Sequence, residues 1–334
     1  MRLFPRSFFT GMAAALLAGL AALGLPAAQA SAGTDDYPRS PIRLVIPFVP
    51  GGAVDTVGRL LASSAGQILS ENIIVENKGG AGGSIGASWV AKSAPDGYTL
   101  LLGTSSTHGT NSATMPNLPY DPVHDFAPVA QVVEMPFILV ANAAVPANNA
   151  AELIAYARAN PGKVTFASWG PGSSNHLATE LFMAAARITM TQVPYKGAGP
   201  AMVDVMSGQV DVTMDTFATS TPFIKSGKVK LLGVDSAKRS PDYPAVQTLE
   251  EAGAPGSEAG SWFGIFAPAG TPAPIVGKLQ AAFLAAVGKP EVQEKLQALG
   301  VMPSPADAGQ LARRVTDEIG KWQAIVRSRG LKFD

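Results

Sequence analysis

The sequence predicts an α/β fold of two lobes, each built on a mostly parallel sheet flanked by helices, hinged by two crossing strands. Three observations carry this. Apolar, β-branched runs alternate with Ala-rich helical patterns along most of the chain. The strand-like runs are apolar on both faces, as strands covered from both sides must be. The alternation also breaks twice, at 136–140 and 261–266, where strand-like runs stand outside it.

The predicted strands are 42–48, 73–76, 98–102, 164–168, 191–195, 210–214 and 229–234. Asn149 stands as the N-cap of a helix over 150–159, which Pro161-Gly162 ends. Ser304-Pro305 predicts the start of a long C-terminal helix with Leu311, Val315, Ile319, Trp322 and Val326 on one face. Taking the two interruptions as crossings gives a discontinuous first domain, 35–138 plus 263–334, and an inserted second domain, 139–262. A ligand cleft is then expected at the carboxyl ends of the sheet strands.

Residues 1–30 carry Arg2 and Arg6, an apolar stretch over 8–25 and the small residues Ala28 and Ala30. This is the pattern of a secretory signal peptide cleaved after Ala30. The alternative, a membrane anchor, fits less well because Gly11, Gly19 and Gly24 interrupt the stretch. Export places the mature protein in a bacterial periplasm. With 334 residues and no cysteine, the chain needs two packed cores and has no disulfides, thiolate metal sites or Cys nucleophile. Its 25 basic residues balance 25 acidic ones, which argues against a nucleic-acid partner and offers no polybasic membrane surface.

Two glycine turns carry the functional reading: Pro47-Phe48-Val49-Pro50-Gly51-Gly52-Ala53-Val54-Asp55 and Ser168-Trp169-Gly170-Pro171-Gly172-Ser173-Ser174-Asn175-His176. Each joins a strand run to a helix run. Such a turn leaves backbone N–H groups unpaired at the positive end of the helix dipole, which suits a carboxylate, phosphate or sulfate. The pair predicts two halves of one anion cleft. Asp55 either accepts helix N–H groups, or orients the loop or meets a donor on the ligand. Thr104, Ser105 and Ser106 follow a strand at its carboxyl end; they either offer hydroxyls to the cleft or cap a helix.

Other chemistries fail on spacing. Gly80-x-Gly82 is followed by Ile85 where a dinucleotide fingerprint needs its third glycine, so no nucleotide cofactor is expected. His108, His124 and His176 lack metal-ligand spacing, so no metal is expected. Ser173, Ser174, His176 and Asp215 include the residue types of a hydrolase, yet no nucleophile elbow surrounds the serines and no catalytic residue is assigned.

With Pro50-Gly51-Gly52-x-x-Asp55, Glu76-Asn77-Lys78, Pro95-Asp96-Gly97-Tyr98, Gly172-Ser173-x-x-His176-Leu177, Val193-Pro194-Tyr195-Lys196-Gly197 and Gly208-Gln209-Val210-Asp211 in order, the chain resembles the Bug family. These are periplasmic substrate-binding receptors of tripartite tricarboxylate transporters. The resemblance runs from about Tyr37 onward and implies a type II periplasmic-binding-protein fold closing over a small organic acid. It implies membrane permease subunits as partners, a monomer, no cofactor and no enzyme activity; a sensor feeding a signalling protein is the alternative to transport. Phe48, Pro50, Gly51, Gly52, Ala53 and Asp55 would form the first-lobe side of the pocket. Ser168, Trp169, Gly172, Ser173, Ser174, His176, Tyr195, Lys196, Gly197 and Asp215 would form the other. Trp262, like Thr104 to Ser106, is placed by topology, and Trp169 is read as either a stacking platform or core. Gly79 and Ser207 depart from the family's common Pro and Gly.

Overall fold

The computed structural model describes residues 36–195 and 197–333; the expected signal peptide and Lys196 lie outside the described residues. The chain begins with β1 (Ile42–Ile46), α1 (Ala53–Leu69), β2 (Ile73–Asn77), α2 (Ser84–Ala91), β3 (Thr99–Thr104), α3 (Asn111–Thr114) and β4 (Phe126–Met135). It crosses at Pro136 into β5 (Phe137–Asn142), α4 (Ala150–Ala159), β6 (Thr165–Ser168), α5 (Ser174–Ala186), β7 (Thr191–Pro194), α6 (Ala198–Ser207), β8 (Val212–Thr216), α7 (Phe217–Lys225) and β9 (Val229–Asp235). It returns through β10 (Ser261–Pro268), α8 (Ala273–Gly288), α9 (Pro290–Ala298), β11 (Met302–Asp307) and α10 (Ala308–Arg329).

The first sheet has the order β11-β4-β10-β3-β1-β2 and the second β7-β6-β8-β5-β9. β2, β1 and β3 run parallel, as do β7, β6 and β8. The strand arriving from the other lobe, β10 or β5, is inserted antiparallel between the third and fourth strands of each sheet. Both sheets therefore repeat one order: second, first, third, incoming, fourth. The first strand, β1 or β6, is a switch point, because successive connections leave it toward opposite edges and open a crevice at its carboxyl end.

Alternating side chains feed a core on each face of the first sheet. Ile42, Leu44 and Ile46 join Leu61 and Phe283 on one face, and Val45 joins Leu101, Trp262 and Phe266 on the other. The second sheet packs Leu139, Phe166 and Met214 against Leu177 and Phe182, with Ile138 and Val140 facing Ala201 and Val205. Each such fully buried side chain contributes about 1.5–3 kcal/mol.

The Asn149 cap forms as expected, its side chain accepting the Glu152 amide at 2.9 Å. The C-terminal helix starts later than Ser304-Pro305 indicated. Those residues lie in β11, which carries two prolines and pairs only with β4, an edge position where a missing N–H is tolerated. Asp307 caps α10 instead, in a reciprocal box with Gln310. α10 packs into two of these cores. Leu311 and Val315 belong to a first-lobe core, whereas Trp322 and Ile325 belong to the second-lobe core.

Candidate binding site

In the first turn Gly52 caps α1 with backbone alone, at φ −82°. Gly51 sits at φ +88°, the left-handed region that glycine enters without strain. A Cβ at either position would meet nothing within 4 Å, so the surface above both is open. The loop is tied down from beneath by Asp55, which is 5% exposed. Its carboxylate accepts the Gly51 amide at 3.0 Å, Asn77 Nδ2 at 2.8 Å and Arg59 Nε at 3.1 Å. Asn77 also donates to the Phe48 carbonyl at 3.1 Å. The Arg59 guanidinium, helped by Gly51 and Asn77 against the cost of burial, holds the Asp55 carboxyl down at about 2. Asp55 thus orients the loop and its oxygens are spent on it. The Gly51 amide is spent too, leaving the amides of α1's first turn, ahead of the Thr56 N–H to Gly52 carbonyl bond, to face outward.

The glycine run after β2 supports this turn. A Cβ on Gly83 would lie 2.7 Å from Thr107 Cγ2 and 3.2 Å from the Phe48 ring, and one on Gly79 would lie 3.1 Å from the Val49 amide. These glycines let the backbone pass close beneath Phe48 and Val49.

The second turn leads into α5. Ser173 caps the helix, accepting the His176 amide at 3.4 Å and donating to the Gly170 carbonyl at 2.6 Å. The Gly172 amide donates to His176 Nδ1 at 3.1 Å. An amide can only donate, so Nδ1 is the acceptor and the ring proton sits on Nε2, 3.7 Å from Glu180 Oε1. Asn175, fully buried, pins the other end: its Oδ1 accepts the Trp169 amide at 2.8 Å and its Nδ2 donates to the Met214 carbonyl at 3.1 Å. Ser168 is buried and accepts Gln192 Nε2 at 2.7 Å. Among the described residues, no serine hydroxyl here bonds to an imidazole nitrogen. Trp169 is half-buried, edge-on to Phe137 at 5.8 Å between centroids, with its indole N–H buried and unpartnered.

The remaining expected residues divide. Gly197 caps α6 with open space around its Cβ position. The Tyr195 hydroxyl donates to Asp204 at 2.7 Å; burial, then that carboxylate, pushes the phenol up to about 12. Asp215 is sealed inside its lobe, accepting the Thr216 amide at 2.8 Å, Thr219 Oγ1 at 2.6 Å and Ser220 Oγ at 2.8 Å. Burial raises its carboxyl despite those donors. Thr104 and Ser105 are buried, the first in a turn with Thr107 and the second bonded to Ser261 Oγ at 3.0 Å. Ser106 is half-buried and bonds to no described residue through its hydroxyl.

Trp262, placed by topology at the pocket, is fully buried in the first-lobe core beneath the Arg314 guanidinium. Its strand was read correctly, but alternation along β10 turns Ser261, not Trp262, toward Ser105. Sequence reasoning missed Arg59, Asn77, Asn175 and Glu180. Asn175 carried a signal, a short amide one residue before His176 at a helix start.

With this geometry in place, relatives can be compared. The profile of the family described as "Tripartite tricarboxylate transporter family receptor" matches residues 57–331. "Protein BugT" of Bordetella pertussis is 38% identical over 300 residues, covering 90% of this chain and 92% of the relative. Among solved structures, "R. palustris Rpa4515 with adipate" is 35% identical with a TM-score of 0.76, covering 90% of this chain and 100% of that one. "MatC (Rpa3494) from Rhodopseudomonas palustris with bound malate" is 37% identical with a TM-score of 0.70, covering 87% and 100%.

Proposed function

The chain belongs to the tripartite tricarboxylate transporter receptor family, a family of solute-binding receptors, and we propose that it traps a small organic carboxylate between its lobes. The observation that carries this reading is topological. The two glycine turns follow β1 and β6, the equivalent switch-point strands of two sheets with one shared order. Each therefore opens at the crevice where α/β sheets take their ligands.

The open backbone over Gly51 and Gly52 and the α1 amides supply the first-lobe contacts. The segment from Trp169 to Ser174, with Gly197, supplies those of the second lobe, and Ser106 adds a hydroxyl. Affinity comes from preorganised N–H and O–H donors and burial rather than from an arginine clamp. Adipate and malate, the acids named with two similar structures, are both dicarboxylates. The lobes, 35–138 with 263–334 and 139–262, close about the crossings at Pro136 and before β10. The mature receptor, cleaved after Ala30, works as a periplasmic monomer, without cofactor or catalysis, and hands its ligand to membrane permease subunits.

Thermal unfolding of the purified protein against a panel of mono-, di- and tricarboxylates tests this. One acid raising the melting temperature in a concentration-dependent way supports it; an unchanged melt across the panel overturns it.

A further inference from the structure

The end of α10 lies directly behind the second glycine turn. Arg329 Nε donates to Glu180 Oε2 at 2.7 Å, and the Glu180 side chain is 9% exposed. Burial raises that carboxyl, but His176 and Arg329 outweigh it and hold it ionised at neutral pH. Glu180 Oε1 faces the Nε2 proton of His176 at 3.7 Å, while Nδ1 of the same ring accepts the Gly172 amide at 3.1 Å. Four groups thus form one file, from Arg329 through Glu180 and His176 to the backbone of the turn. Phe333 closes it from the side. Its ring stands edge-on to His176, 6.3 Å between centroids at 79°, and lies 3.1 Å from where a Gly172 Cβ would be. Gly172 itself adopts φ +73°, so the turn's shape at this point is held from outside.

We propose that Arg329 and Phe333 are positioning residues for the second binding turn, an inference resting on the reading that this turn meets the carboxylate. Without Arg329, Glu180 loses its fixed partner and the imidazole loses a fixed carboxylate to orient it. The Gly172 amide is then released from Nδ1. Without Phe333, Gly172 and the imidazole edge become open to water. The helix bearing these residues is rooted by Leu311 and Val315 in the first lobe and by Trp322 and Ile325 in the second. The turn on one lobe is therefore braced by a helix anchored in both, and its geometry depends on their relative position.

The test compares Arg329→Gln, Arg329→Lys and Phe333→Ala with the parent chain, using adipate and malate as probes and amide NMR as a second readout. In Arg329→Gln and Phe333→Ala, the Gly172 and His176 amide resonances are expected to move while Gly51 stays put. Arg329→Gln should weaken the acid that binds by about tenfold, the scale of one charge-assisted hydrogen bond. Arg329→Lys should recover most of that affinity. Unmoved Gly172 and His176 resonances, or unchanged affinity in both removals, overturn the proposal. If the parent binds neither acid, the ligand assignment fails and the resonances alone decide the positioning role.

Discussion

The Gly51 amide donates to the Asp55 carboxylate four residues ahead, at 3.0 Å. The second lobe repeats the device with different chemistry, the Gly172 amide donating to His176 Nδ1 at 3.1 Å, again four residues on. Each glycine turn is thus folded onto a side chain from the first turn of the helix it opens. The sequence marked all four residues, and for Asp55 it offered the loop-orienting role as one of its alternatives.

Asp55→Ala removes that tie together with the partner of Arg59. A loss of about 1–3 kcal/mol is expected, the range for leaving buried hydrogen-bonding groups unpaired. Its folded value of about 2 lies below the ordinary 3.8, so its stabilisation is complete above the ordinary value and disappears as pH falls through about 2. Urea titrations at neutral and acid pH should therefore show the variant's deficit shrinking in acid. A constant deficit would mean that the carboxylate's charge plays no part.

Gly52→Val separates binding from folding. Its φ of −82° suits any residue and its Cβ position is open, so the apo melting temperature should hold while ligand affinity drops more than tenfold. Gly51→Val instead forces a β-branched residue to φ +88° and should cost about 1–2 kcal/mol of stability as well. Equal melting temperatures for the two variants would contradict this backbone assignment.

His108 supplies a pH signature. It is fully buried, stacked on Phe266 with centroids 3.8 Å apart, and its Nε2 has no partner. Burial pushes it down from 6.5 to about 3. The unfolded chain therefore binds this proton first, and stability falls as pH drops from about 6.5 toward 3, by up to 1.4 kcal/mol per unit. His108→Phe should flatten that part of the profile, and an unaltered slope from denaturant melts would show the imidazole to be hydrated.

Trp322 tests the sharing of α10. Its ring is 1% exposed in the second-lobe core and its Nε1 donates to Glu318 at 2.7 Å. Trp322→Ala should cost about 3–5 kcal/mol and lower the melting of probes in both lobes together. Two separated transitions, with the first lobe unchanged, would show that the helix does not couple them.

What could be read from the sequence follows from how local each determinant is. The strands that formed as expected are short apolar runs beside turn residues, and the Asn149 cap depends on a neighbour three residues away. β11 escaped notice because Pro303 and Pro305 break the strand pattern, and only its edge position reconciles them with a sheet. The resemblance placed Asp215 and Tyr195 at the pocket, whereas their partners Ser220 and Asp204 become visible only once α7 and α6 fold back. Glu180 and Arg329 stand 149 residues apart, and no spacing rule joins them.

The shared helix also sets the order in which the molecule can be completed. The second-lobe core contains Phe166, Leu177 and Met214 but is closed by Trp322 and Ile325, which a ribosome adds long after that lobe's own strands. Until they arrive, the inserted lobe carries an apolar face with nothing to cover it, and such a face invites chaperones and association with other chains. A nascent chain halted after β11 would thus hold a first lobe without its last helix and a second without its lid. The native state becomes available only once α10 has been made.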